Sequence, residues 1–214
     1  MKRQAPYTIL YEDARILAVN KAAGVLSGPD RWDDGQDRER LDLLLSCRMC
    51  RIYRVHRLDR DTSGVMVFAK DAETHKRLSA AFEGRAPTKT YLAVVHGRPA
   101  WAETECGLPL VPNGDKRHRT IVDRYRGKEA LTRFRLVGSA GNYSLLEAVP
   151  ATGRTHQIRA HLSSLGHPLV CDALYGSPKA VYLSSFKRGW QGDPLDERPL
   201  LARLGLHAAS LVLP

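Results

Sequence analysis

The alternation of apolar and polar positions breaks the chain into short segments of differing period. Two apolar pieces, Tyr7-Thr8-Ile9-Leu10-Tyr11 and Ile16-Leu17-Ala18-Val19, flank Glu12-Asp13 and predict a β-hairpin over residues 7–20. Gly and Pro punctuate residues 21–30, which read as loop. Residues 31–40 are densely charged and expected to be exposed, and Leu41, Leu43, Leu44 and Leu45 then predict a short helix leading to Cys50. The unbroken apolar run Val65-Met66-Val67-Phe68-Ala69 reads as a buried strand. Asp71 is placed to cap a helix in which Leu78, Ala81 and Phe82 share a face and Gly84 is the stop.

Residues 89–96 are β-type and end at Gly97, and further strands are predicted over 130–134 and 143–149. Between them, residues 112–128 interleave Lys and Arg with Gly, Asn and Asp, which predicts an exposed basic hairpin or loop. A helix follows over 155–165, with Ile158, Leu162 and Leu165 on one face and Gly166 as its stop. Strands outnumber helices and do not alternate with them. The expected class is therefore α+β, with a mixed, mainly antiparallel central sheet and flanking helices and loops. Neither a repeat nor a linker interrupts the pattern, and 214 residues suit one domain spanning 1–214.

Composition narrows this picture. With 43% hydrophobic and 26% charged residues the chain is ordinary for a globular protein. No apolar run approaches the ~20 residues needed to cross a bilayer, and the basic start leads into no apolar signal region. A cytoplasmic protein without membrane association is expected. The excess of 33 Lys and Arg over 23 Asp and Glu, a formal charge of +10, suits either a solvated surface or a polyanionic partner such as nucleic acid. Cys47 and Cys50 form C-x-x-C, but Cys106 and Cys171 stand alone and far away. A structural zinc site needs a second ligand pair, so four reduced thiols and no metal are expected.

The segment from Arg54 to Gly64 carries candidate chemistry. It holds Arg54, Arg57 and Arg60 with His56, Asp59 and Asp61 between them, then Thr62-Ser63-Gly64 ahead of the apolar strand. Charged loops are commonly just solvated. Leu58 amid these charges, with a strand directly after, instead suggests a loop anchored to a sheet edge, where functional groups concentrate. Nearby positive charge favours the ionised form of a carboxylate, which suits a nucleophile or base and not a general acid.

His56-Arg57-Leu58-Asp59-x-x-Thr62-Ser63-Gly64 resembles the signature of the RluA-type pseudouridine synthases. Three other segments resemble that family in the same order: Asn20 to Leu26, with Ala22 where the family usually has Pro; Lys89 to Gly97; and Thr152 to Leu162, continued by Gly166-His167-Pro168-Leu169 and Asp172-x-x-Tyr175-Gly176. Leu206-His207-Ala208-Ala209 fits as well, so the resemblance runs over nearly the whole chain. It implies the pseudouridine synthase catalytic fold, with Asp59 as the essential aspartate, Tyr91 stacking on the target base, and Arg154 pairing with Asp59. Arg57 would enter the RNA stack when the uridine flips out. Arg60, Thr62, His156 and Arg159, with Lys116, Arg117 and Arg119 of the basic stretch, are expected to contact RNA.

Isomerising uridine breaks the bond from C1′ to N1 and rejoins the base through C5, so no cofactor is demanded. A stacked base must first leave the helix, at a cost of a few kcal/mol. Base–aromatic stacking on Tyr91, about 1–3 kcal/mol, and phosphate contacts offset that cost. Asp59 either attacks C1′ or removes a sugar proton to give a glycal-like intermediate, and both routes stay open. Arg154 supplies a planar fork that Lys would not.

The family often carries an N-terminal S4-type RNA-binding domain, and about 15 residues before the first motif leave none expected here. Members usually continue past the Leu-His-Ala segment with a strand and a Pro-rich tail, whereas here Leu211-Val212-Leu213-Pro214 follows, which would leave a sheet edge exposed or covered from elsewhere. A monomer acting on structured rRNA or tRNA is expected.

Singly, each site residue has a plainer reading: Tyr91 as a half-buried strand aromatic, Arg154 as a residue near a helix start, His156 and His161 as partly buried polar groups. Two other functions compete. A non-catalytic RNA binder on the same scaffold accounts for the basic surface but not for Asp59, Tyr91 and Arg154 together. A metal-dependent nuclease would want clustered acidic and His ligands, and chelator sensitivity would reveal it.

Overall fold

Period-two burial begins at the first hairpin. The structure, a computed structural model, describes residues 5–29, 39–49 and 51–214. Cys50 and most of the charged run, residues 31–38, lie outside them, as do residues 1–4. In chain order the elements are β1 (Tyr7–Glu12), β2 (Ile16–Lys21), α1 (Leu41–Arg48), β3 (Tyr53–Arg54), β4 (Ser63–Ala69), α2 (Ala72–Glu83), β5 (Thr88–His96), β6 (Glu103–Cys106), β7 (Leu110–Val111), β8 (Ile121–Val122), β9 (Thr132–Ala140), β10 (Tyr143–Pro150), α3 (Gln157–Ser164) and β11 (Leu206–Val212). The chain divides into two compact units, Met1–Lys89 with His207–Pro214, and Thr90–Leu206. The α+β class with mainly antiparallel strands is found in both.

In the first unit β1 and β2 form the predicted antiparallel hairpin, with a register shift between Ile9 and Tyr11. Side chains alternate along β2, so Leu17, Val19 and Lys21 all face the core and all are fully buried. β2 pairs antiparallel with β4 over its whole length. The other edge of β4 is shared: β3 pairs antiparallel at Phe68 and Ala69, and β11 pairs parallel at Ser63 and Gly64. Gly64 has φ +123°, and a Cβ there would collide with the Ala208 backbone, so only glycine lets β11 approach. Asp71 caps α2 as predicted, accepting from the Thr74 N–H at 2.8 Å and its hydroxyl at 2.7 Å, and Gly84 closes the helix.

In the second unit the order is β5-β10-β9-β6, all antiparallel. Ala93, Val95, Phe134, Leu146 and Ala148 of this sheet pack with Ile158 and Leu162 of α3 in one buried cluster. The predicted helix starts two residues late, at Gln157, because His156 takes the left-handed conformation at φ +51°. β9 runs on to Ala140, beyond the predicted residue 134. The basic stretch is a hairpin, as its composition suggested: short β7 and β8 pair antiparallel on either side of its turn.

Candidate active-site loops

Asp59 sits in the first unit, half-buried, on a loop whose backbone is tied down at three successive residues. The Ser27 hydroxyl donates to the Leu58 carbonyl at 2.7 Å, and the Leu58 N–H donates back to the Ser27 oxygen at 3.1 Å. The Thr62 N–H donates to the Asp59 carbonyl at 3.2 Å, closing a tight turn. The Arg60 carbonyl accepts from the Gly24 N–H and from Lys21 Nζ, each at 2.9 Å.

Lys21 is the group that sequence reasoning did not single out. The strand period sends it inward, where its ammonium donates to the carbonyls of Val25 at 2.8 Å, Ala22 at 2.9 Å and Arg60. A buried ammonium survives only with such partners. Burial pulls it down from 10.5 to about 8, against the opposing pull of the Asp61 and Asp59 charges. The signal was present in β2: alternation that buries Leu17 and Val19 must bury position 21 too.

The neighbours of Asp59 divide by exposure. Arg57 is exposed beside the buried Leu58, and Arg60 is exposed and pairs with Asp61 at 3.2 Å. Thr62 points inward, 2% exposed, and its hydroxyl finds no hydrogen-bond partner among the described residues. The Ser63 hydroxyl bonds His207 Nδ1 at 2.8 Å, tying β4 to β11 through side chains as well. His56 stacks on Phe82 (4.6 Å between ring centres, 10° apart) and its Nε2 accepts from the Val67 N–H at 3.0 Å. Burial, helped by the Lys89 charge, lowers His56 to about 4, so it is the neutral tautomer protonated at Nδ1.

Tyr91 and Arg154 belong to the second unit. Tyr91 lies opposite Ala148 on β5 and packs, partly exposed, against the sheet core. Arg154 is half-exposed, and its Nε donates to the Glu129 carbonyl at 3.0 Å. The turn that presents it is fastened by buried Gln157, whose Oε1 accepts from the Arg154 N–H at 3.0 Å and the Thr152 hydroxyl at 2.6 Å. Gln157 Nε2 donates to the Leu131 carbonyl and the Thr132 hydroxyl, both at 2.9 Å. That hydroxyl meets His161 Nδ1 at 2.9 Å, while Nε2 of the same ring reaches the Leu108 carbonyl at 3.0 Å. A carbonyl only accepts, so Nε2 carries the proton and Thr132 donates to Nδ1. His161 is thus a fully buried structural group, the plainer of its two readings.

His156 and Arg159 also face inward partners. His156 Nδ1 bonds the Tyr175 hydroxyl at 3.1 Å. The Arg159 guanidinium makes a two-pronged pair with Asp172 at 2.9 and 2.8 Å, and lies 5.0 Å above the Tyr175 ring. Asp172 is held below the usual carboxylate range by Arg159 and two backbone N–H groups, although burial opposes this. The Tyr175 hydroxyl accepts from the Thr120 N–H at 2.8 Å. In the basic hairpin, Lys116 and Arg117 are exposed; Arg117 donates to the Ala173 carbonyl at 2.9 Å and Arg119 to that of Leu174 at 3.2 Å. Arg119 also pairs with Asp115 at 2.6 Å. The hairpin and the residues after Arg154 therefore meet on the turn at residues 172–175. Gln157 and Tyr175, quoted in sequence only as motif letters, prove to be the anchors.

Among the described residues no three His, Cys, Asp or Glu side chains gather as metal ligands would, and no helix is long and apolar enough to cross a membrane.

Comparison with known proteins supplies the remaining observation. The family profile described as RNA pseudouridylate synthase matches residues 15–164. A dual-specificity RNA pseudouridine synthase RluA from Vibrio cholerae is 36% identical over 203 residues, which cover 95% of this chain and 75% of that protein. The enzyme of the same name from Escherichia coli K12 is 36% identical over 216 residues, covering 98% and 88%. Among solved structures, human RNA pseudouridylate synthase domain containing 1 superposes with a TM-score of 0.76 at 28% identity, covering 100% of this chain and 82% of its own.

Proposed function

The chain belongs to the RNA pseudouridylate synthase family, and from that premise we propose that it isomerises uridine in RNA with Asp59, Tyr91 and Arg154 as its catalytic set. One observation carries the reading: the family match spans residues 15–164 and contains all three. The non-catalytic alternative offers no use for that carboxylate, aromatic and arginine together.

In this reading the flipped uridine stacks on Tyr91, Asp59 supplies the carboxylate, and Arg154 supplies a planar, permanently charged guanidinium. The carboxylate then acts at the sugar, by attack on C1′ or by proton abstraction. The C1′–N1 bond breaks, the base turns, and C5 bonds to C1′ as Asp59 leaves it or returns the sugar proton. C5 then loses its proton and N1 gains one, so nothing is oxidised and no cofactor is consumed. The bonds holding residues 58–60 support the role of Asp59, because a reacting group gains most when its backbone is fixed beforehand. Arg57, exposed beside it, fills the space that the base leaves. Lys116 and Arg117, exposed on the hairpin, meet phosphates. Arg159, His156, Arg119 and Thr62 act more indirectly, by holding the frame that presents these groups.

The substrate is structured rRNA or tRNA, and the enzyme works as a cytoplasmic monomer. A relative from Borreliella burgdorferi, 38% identical over 181 residues and covered to 55% of its length, is named a ribosomal large subunit pseudouridine synthase, which supports the ribosomal choice. The test maps pseudouridine across total RNA from cells with the gene, without it, and with Asp59→Ala. Deleting the gene removes at least one modified site, and Asp59→Ala removes the same site while the purified variant still binds RNA. No site lost on deletion overturns the function; turnover by Asp59→Ala overturns the role of that residue.

A further inference from the structure

One aromatic ring in the second unit has no structural work to do. Tyr125 is 99% exposed, at the tip of a turn after β8. Single exposed apolar residues are common on any surface, so exposure alone means little. The turn that displays it, however, is built to stand still. Asp123 Oδ1 accepts from the N–H groups of Tyr125 and Arg126 at 2.9 and 3.0 Å. Its other oxygen pairs with Arg126 Nε at 2.8 Å, and its carbonyl accepts from the Gly127 N–H at 2.9 Å. The Asp123 N–H in turn donates to the Pro109 carbonyl at 3.0 Å. Any side chain at Gly127 would run into Asp123 and Pro109.

Charge and position say what the ring is displayed to. Arg124 and Arg126 flank it and Lys128 follows, all exposed. The same stretch of chain leads to Glu129, whose carbonyl accepts from Arg154. Four residues of extended chain reach at most about 14 Å, so Tyr125 stands within that distance of the residue on which Arg154 rests. An open ring between cations is the arrangement that takes a nucleobase on its face and phosphates at its sides.

We propose that Tyr125 is a stacking platform for an unpaired base of the substrate RNA, a few nucleotides from the target uridine. This rests on the reading of the chain as an RNA-modifying enzyme and adds a recognition residue that none of the motifs contains. The platform makes single-stranded sequence beside the target part of the specificity. It reads stacking and not hydrogen-bond pattern, because the tyrosine hydroxyl is not needed for it.

The experiment measures binding of a short labelled single-stranded oligoadenylate, and of an RNA duplex of the same length, by fluorescence anisotropy. Tyr125→Ala should weaken single-strand binding roughly 5- to 150-fold, the range for losing one base–aromatic stack. Tyr125→Phe should bind as the native protein does, and duplex binding should be the same in all three. The salt dependence should be unchanged in Tyr125→Ala, whereas Arg124→Ala should lower the slope by about 0.7 if it meets one phosphate. Native-like single-strand binding by Tyr125→Ala overturns the proposal, as does equal loss in Tyr125→Phe or a lowered melting temperature. Those results leave the function itself standing, since that reading falls only if native protein forms no pseudouridine.

Discussion

The loop around Asp59 and the turn around Arg154 are each fixed from within their own unit, but by opposite chemistry. Around Asp59 the central anchor is a buried ammonium, Lys21, donating to three backbone carbonyls. Around Arg154 it is a neutral relay in which Gln157, Thr132 and His161 pass hydrogen bonds from one to the next. A buried charge is costly to desolvate and sensitive to pH, whereas a satisfied neutral network is neither. The difference suits the proposed roles. A carboxylate that must be aimed benefits from a clamped backbone, and an arginine needs only a rigid seat.

The neutral network is the one expected to break hardest. Gln157→Ala takes the acceptor from the Thr152 hydroxyl and the Arg154 N–H, while the Leu131 carbonyl keeps the Ala151 N–H and the Thr132 hydroxyl keeps His161. At about 1–3 kcal/mol for each buried group left unsatisfied, partly relieved by relaxation, the loss should be roughly 2–4 kcal/mol. In a chain of this size that lowers the melting temperature by about 2–4 °C for each kcal/mol, measurable by calorimetry. Melting within 1 °C or so of the native protein would remove the network from the account.

Lys21→Met tests the charged anchor, and its signature is activity more than stability. The substitution keeps volume, removes a costly buried charge and loses three hydrogen bonds, so folding changes little. The Asp59 loop loses its clamp, and kcat should fall roughly 10- to 100-fold. The native enzyme should also lose activity as pH rises through about 8, when Lys21 gives up its proton. Over that same rise, toward the 10.5 of the unfolded chain, the fold gains stability, because the unfolded state then holds the extra proton. Activity falling while stability rises identifies Lys21; an alkaline limb that persists in Lys21→Met assigns it elsewhere.

The effect least visible at neutral pH belongs to His56. Its folded value near 4 lies below the ordinary 6.5, so acidification through that window protonates the unfolded chain first and destabilises the fold. The slope contributed is at most about 1.4 kcal/mol per pH unit. Gln at this position still accepts from the Val67 N–H but does not titrate, so His56→Gln should flatten the acid limb of a pH series of denaturant unfolding curves. Identical limbs would show that His56 does not set it.

The sequence was legible where one local signal decided the outcome. The first hairpin, the Asp71 cap and the glycine stops of both later helices follow from residue chemistry within a turn or two. The pairs β7 and β8, two residues each, were too short for a period to show, though the basic hairpin around them was read from composition. Leu206 to Val212 has no clean alternation and becomes a strand only because Gly64, far away in sequence, leaves room for it. Among candidate site residues, Asp59, Tyr91 and Arg154 were reached through the family resemblance, since each taken singly has a plainer reading. Lys21, Gln157 and Tyr175 were not, because their value lies in what surrounds them once the chain has folded. Arg159 likewise has a partner, Asp172, that the sequence did not indicate.

The parallel pairing of β11 with β4 also sets a schedule. His207 reaches back to Ser63 across 144 residues, and the whole second unit lies between them. At about 5–20 residues per second a ribosome needs roughly 7 to 30 s to cover that interval. The strand beneath the Asp59 loop waits that long for its neighbour, with one stretch of its edge unpaired, while the second unit emerges and folds. Such a delay makes the β4 edge at Ser63 and Gly64 the last part of the first unit to find its partner strand.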